Sequence, residues 1–167
     1  IMKRRHLILA GMATAIVGAC GTKSRFKSYS GPEVTYVVVN KADRKMFLLH
    51  KNRVLEEFDF DLGFAPIGNK FFEGDGRTPE GNYFIDRRNP NSKFHLSLGI
   101  SYPNAQDRAQ AKALGKPPGG DIFIHGKSER KTLGKNDWTW GCIAVPNREM
   151  ELIYAMVKDG TPIQINP

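Results

Sequence analysis

Short apolar runs separated by polar turns dominate the pattern from residue 34 onward. "VTYVVVN" (34–40) is β-branched and aromatic, "RKMFLLH" (44–50) follows after "KAD", and the pair reads as a hairpin. "VLEEFDFDLG", beginning at Val54, adds a third strand, giving an antiparallel meander. "APIGNKFFEGDGRTPEGNYFID" (65–86) is dense in Gly and Pro. It predicts a long surface loop with turns at Gly74-Asp75-Gly76 and Pro79-Glu80-Gly81, entering a strand over 83–86. The alternation of "FHLSLGISY" (94–102) predicts another strand, and "DIFIH" (121–125), "CIAV" (142–145) and "TPIQI" (161–165) read as short ones.

Two helices interrupt this series. One runs over about 105–114, capped by Asn104 and stopped by Gly115 and Pro117. The other is "NREMELIYAMVKDG": Asn147 reads as its N-cap, Glu149 and Glu151 favour the first turn, and Met150, Ile153, Tyr154 and Val157 fall at helical spacing before Gly160. The sum is one mostly β domain over 34–167 with one or two packed helices.

The first nineteen residues carry a different pattern. Lys3-Arg4-Arg5 is a positive n-region, "LILAGMATAIV" an apolar core, and small residues lead to Cys20, which reads as an export signal. A cysteine behind Val17-Gly18-Ala19 fits cleavage before Cys20 and lipidation of its thiol, with ordinary cleavage as the alternative. Residues 20–33 then read as a lipidated N-terminus and a polar tether. This places the protein in the periplasm or cell envelope.

Charge changes the picture little. The net +8 falls to +5 without residues 1–19, a balance suited to anionic wall polymer. Export and the lack of a binding motif argue against nucleic acid. Cysteine changes it more. With Cys20 acylated, Cys142 has no intramolecular partner, and a lone thiol in an oxidising compartment is either packed away or used.

His125 ends "DIFI" before Gly126, and Cys142 opens "CIAV" behind Gly141. If those strands are neighbours, imidazole and sulfur can meet, and a neighbouring histidine can take the proton that a thiol must lose to become a nucleophile. Gly141 leaves backbone room for a substrate carbonyl, and the amides around Gly141 and Cys142 can serve an oxyanion. A buried inert thiol and a hydrogen-bonded core histidine remain the other reading.

The run from His125-Gly126 through Thr139-Trp140-Gly141-Cys142 resembles the signature of the L,D-transpeptidase (YkuD-like) family, a His-Gly followed by Ser/Thr-x-Gly-Cys. "LGFAPIGNKFFEGDGRTPEGNYFI", "FHLSLGISYPN", "PPGGDIFIHG" and "DWTWGCIAVPNREMELIY" extend the likeness in order over 34–167. The resemblance implies a β-sandwich or barrel-type domain acting on peptidoglycan stem peptides without a cofactor. Its cysteine attacks the carbonyl on the L-centre of diaminopimelate, D-alanine leaves, and an amine resolves the thioester. By position, Cys142 is then the nucleophile and His125 the base and later acid. Gly126 orients the imidazole through its carbonyl, Gly141 lends an oxyanion amide, and Thr139 serves the turn or the substrate. His95 falls near the site, and Arg77 can meet stem carboxylates, whereas Arg87 and Arg88 read as solvated. One departure is Ala144, where many members carry arginine. It opens the alternative that water resolves the thioester, making a carboxypeptidase or amidase. A non-catalytic lipoprotein binding wall polymer or metal is the reading from another class.

No zinc motif is present, because His50, His95, His125 and Cys142 share no short spacing. Gly126-Lys127-Ser128 ends like a phosphate-binding loop, but the glycine such a loop needs five residues earlier is Asp121.

Overall fold

The computed structural model describes residues 24–127 and 136–167. The expectations for the export signal and for Cys20 lie outside these residues. The meander is present as β1 (Tyr36–Asn40), β2 (Lys45–His50) and β3 (Arg53–Asp59), paired antiparallel in turn. β4 (Gly81–Asn89), β5 (Ser97–Ile100), β6 (Phe123–His125) and β7 (Ile143–Ala144) follow, with α1 (Ala105–Ala113) after β5 and α2 (Asn147–Met156) after β7. β8 (Pro162–Asn166) closes the chain.

All eight strands join one sheet in the order β3-β2-β1-β8-β4-β5-β6-β7. β8 enters between β1, which it meets parallel, and β4, which it meets antiparallel. The last strand thus joins the meander to the half that carries the site. The sheet curls until its two edges meet. Asp61, just past β3, exchanges two 2.9 Å backbone hydrogen bonds with Ala144 of β7, and Gly63 bridges Thr139. These two isolated bridges draw the edges together at one end, and the sheet is a curled half-barrel.

Alternation explains the core. Val37 and Val39 of β1, Met46 and Leu48 of β2, and Ile163 and Ile165 of β8 point inward from strands whose other residues are half-exposed. All four residues of β5 are buried, because α2 packs over β5 and β6. Met150, Ile153 and Met156 are the buried face of α2.

α1 begins as expected. Asn104 Oδ1 accepts the amides of Gln106 and Asp107, and Asp107 Oδ2 accepts the Asn104 amide, a reciprocal capping box. α2 does not. Its N-cap is Pro146, and Asn147 is already helical, with Oδ1 accepting the Lys127 amide at 2.7 Å. The side chain expected to cap the helix instead holds the backbone beyond β6.

Three further expectations are corrected. Arg88 is not solvated: it bonds the carbonyls of Tyr154 and Val157 at the end of α2 and lies 3.9 Å from the Tyr154 ring centroid. A guanidinium there satisfies free carbonyls and complements the helix dipole. The loop after β3 is not simply surface, because Lys70 and Thr78 are buried within it. Residues 24–29, within the stretch that reads as a polar tether, lie along α2. Lys27 Nζ bonds Arg148 O at 2.9 Å and pairs with Glu151 at 3.4 Å, and Phe26 packs on Tyr154.

Candidate active site

β6 and β7 run side by side and parallel, with Ile124 opposite Ile143 and His125 opposite Ala144. Alternation turns the two isoleucines into the core and puts His125 and Cys142 on the other face. Both line one cleft of about 390 Å³. Cys142 also lines a second cleft of about 420 Å³, with Lys70, Glu73 and Trp140. The sulfur is half-buried, sits between two openings and has no disulfide partner among the described residues.

His125 is buried and tightly held. Its Nδ1–H donates to the Gly126 carbonyl at 2.6 Å. A carbonyl can only accept, so the neutral ring keeps its proton on Nδ1 and its lone pair on Nε2. Phe94 stacks 4.5 Å from the imidazole centroid and Trp138 meets it edge-on at 5.7 Å. Burial among these rings pulls the imidazole pKa below its ordinary value, against the Gly126 carbonyl, which raises it. Gly126 has no room for a side chain: a Cβ would lie 2.5 Å from Asn147 Oδ1 and 2.8 Å from Phe94 O.

Burial pushes the Cys142 thiol pKa up. A backbone bond from Phe123 and the charges of Lys70 and Arg87 pull it back, while Asp121 adds to the rise. The thiol donates to the Asp121 carbonyl at 3.5 Å. Asp121 has φ +54, and that left-handed turn aims the carbonyl at the sulfur.

Thr139 is buried and holds the turn before the cysteine. Its hydroxyl accepts the Gly141 amide at 3.1 Å and donates to the Cys142 carbonyl at 2.7 Å. Gly141 therefore does not offer a free amide, whereas the Cys142 amide has no partner among the described residues. Nor is Gly141 open for a substrate: with φ +123, its would-be Cβ lies 2.5 Å from Arg77 O. The Arg77 side chain turns away to Asn69 O and the Phe71 ring, outside both clefts. His95 also lies off the cleft wall, its ring donating to Glu151 Oε1 at 3.0 Å. Arg87 stacks over Phe123 at 4.6 Å and pairs with Asp86 and Asp121. Ala144 is fully buried, with both backbone groups bonded to Asp61.

Sequence reasoning missed three participants. Trp138 and Phe94 are ordinary aromatic residues until the fold places them around one imidazole. Lys70 sits in a stretch that reads as exposed, yet its ammonium is buried against Asp75 Oδ1 at 2.8 Å. Asp75 also accepts the amides of Phe71, Phe72 and Arg77. Burial alone would raise this carboxyl, but Lys70 and the three amides hold it below the usual range. The Gly-Asp-Gly turn was the available signal.

A family model described as the L,D-transpeptidase catalytic domain matches residues 34–165. The chain belongs to the L,D-transpeptidase (YkuD) catalytic-domain family. YafK of Escherichia coli (strain K12) is 25% identical over 172 residues, covering 93% of this chain and 64% of YafK. The crystal structure of the helical cell shape determining protein Pgp2 from Campylobacter jejuni matches 87% of this chain and 51% of that one, with 28% identity and a TM-score of 0.63. Bd1075 of Bdellovibrio bacteriovorus matches 80% of this chain and 48% of its own, with 26% identity and a TM-score of 0.56. The chain thus spans about half to two thirds of the length of these three relatives. The curled eight-strand sheet with two helices is the YkuD fold.

Proposed function

We propose that this domain is a cysteine acyl-transfer enzyme of peptidoglycan stem peptides. The observation that supports it most is the shared cleft: Cys142 and His125 open into the same space, with Nδ1 bonded to the Gly126 carbonyl and the Nε2 lone pair without a partner among the described residues. Cys142 starts as a thiol and His125 as a neutral ring. As sulfur attacks the carbonyl carbon on the L-centre of diaminopimelate, the thiol proton passes to Nε2 and the Cys142 amide meets the oxyanion. The tetrahedral species collapses, the C–N bond breaks, and Nε2 gives its proton to the departing D-alanine amine. In the second half, water or an amine loses a proton to Nε2 and attacks the thioester. The C–S bond breaks and sulfur regains the proton.

Transfer to an amine is the leading reading. Hydrolysis is the second, favoured by Ala144: sealed by Asp61, it sends no side chain into the cleft to hold an acceptor stem. Pgp2 is named for cell shape, and trimming or cross-linking stems is chemistry by which a wall enzyme changes shape. Export and a lipid anchor at Cys20 complete the proposal, supported by the basic and apolar pattern of residues 1–20. Mass spectrometry of muropeptides after incubation tests the reaction. Cross-linked dimers mean amine transfer, tripeptides mean hydrolysis, and unchanged tetrapeptides contradict both.

A further inference from the structure

Resting on the acyl-transfer reading, we infer that Lys93 binds the terminal carboxylate of the residue that leaves, and so makes the enzyme selective for stems with a free C-terminus. The two clefts beside Cys142 are chemically unequal. His125 lines only the one that also holds Lys93. The departing amine must receive its proton from the imidazole, so the leaving residue lies on that side.

Loop 90–96 presents Lys93 rigidly. Asn89 Oδ1 accepts the Asn91 amide at 2.9 Å, and Ser92 Oγ accepts the Phe94 amide at 3.1 Å. These two polar side chains of the cleft are thus engaged by the loop itself. The next residue, Phe94, stacks on the His125 ring at 4.5 Å. Lys93 is therefore one Cα–Cα step, about 3.8 Å, from the residue against the proton donor.

Charge points to the same residue. Among the described residues, Lys70 is the cation of the second cleft, and it is buried on Asp75 and bonded to Phe72 O. Arg87, over the Phe123 ring, pairs with Asp86 and Asp121. Lys93 is exposed, lines the cleft, and has no ion pair or hydrogen bond among the described residues. A free ammonium beside the leaving-group position matches the one charge a terminal D-amino acid always carries, its α-carboxylate.

The test compares two synthetic stem tetrapeptides that differ only in a terminal carboxylate or carboxamide. D-alanine or D-alaninamide release is followed for wild type, Lys93→Gln and Lys93→Arg. Wild type should prefer the free acid by about ten-fold in kcat/KM, mostly through KM, as a charge-assisted contact predicts. Lys93→Gln should bring the ratio toward one, and Lys93→Arg should keep it. An equal rate on both peptides in wild type, or a ratio preserved in Lys93→Gln, overturns the assignment while leaving acyl transfer intact. No release from either peptide by wild type contradicts the acyl-transfer reading, and the assignment falls with it.

Discussion

One hydroxyl ties the candidate nucleophile to its turn: Thr139 Oγ1 donates to the Cys142 carbonyl at 2.7 Å and accepts the Gly141 amide at 3.1 Å. Thr139→Val keeps the shape and removes both bonds, leaving a buried carbonyl and amide unpaired. Each unsatisfied group costs about 1–3 kcal/mol. The variant should melt earlier and react more slowly with an acyl donor, while Thr139→Ser should behave nearly as wild type. Calorimetry beside a single-turnover acylation assay checks both effects.

Gly141→Ala meets two penalties at once. Its backbone has φ +123, and a Cβ would lie 2.5 Å from the Arg77 carbonyl, which is backbone and cannot swing aside. Acylation of Cys142 should fall at least ten-fold even where circular dichroism shows a folded domain. Alanine at Gly74, where nothing lies within 4 Å, still meets positive φ, but it should affect stability more than acylation.

The pH dependence follows from a thiol held up and an imidazole held down. The base must be neutral to act, and the lowered His125 pKa keeps it neutral below its ordinary value of about 6.5. The acid limb of acylation should therefore lie on the acid side of that value. The thiol is raised, so the midpoint of Cys142 alkylation by iodoacetamide should lie above about pH 8.5, the ordinary thiol value. Rates measured across pH 5 to 10 check both limbs.

Lys70 and Asp75 give a separate stability prediction. The carboxyl of Asp75 is depressed, so its contribution is present above the unfolded value of about 3.9 and is lost as pH falls through the lower folded value. Asp75→Asn leaves Lys70 buried without its counter-charge, a loss of about 3–5 kcal/mol. Urea unfolding at neutral pH should show most of that loss, and the gap to wild type should narrow in strong acid.

What could be read in advance was local. The meander and the start of α1 announce themselves through β-branched runs and through Asn104 as a cap, while the reciprocal bond from Asp107 is seen only in the structure. The insertion of β8 beside β1 joins residues over a hundred positions apart, and no local signal encodes it. Asn147 looked like a cap because Asn often is one, but Pro146 begins the helix and the Lys127 amide takes the Asn oxygen. His125 and Cys142, which line one cleft, stood out as candidates through their flanking glycines together with the family signature. Phe94, Trp138, Lys70 and Lys93 were not, because each acquires meaning only when the curled sheet brings separate loops together.

Intact-mass spectrometry of the folded domain after incubation with a stem tetrapeptide bears most directly on the acyl-enzyme. Wild type should gain the mass of the tripeptide acyl group, labile to hydroxylamine, and Cys142→Ala should gain nothing. An unmodified wild-type protein that nonetheless releases D-alanine, or an adduct that persists in Cys142→Ala, would contradict the account.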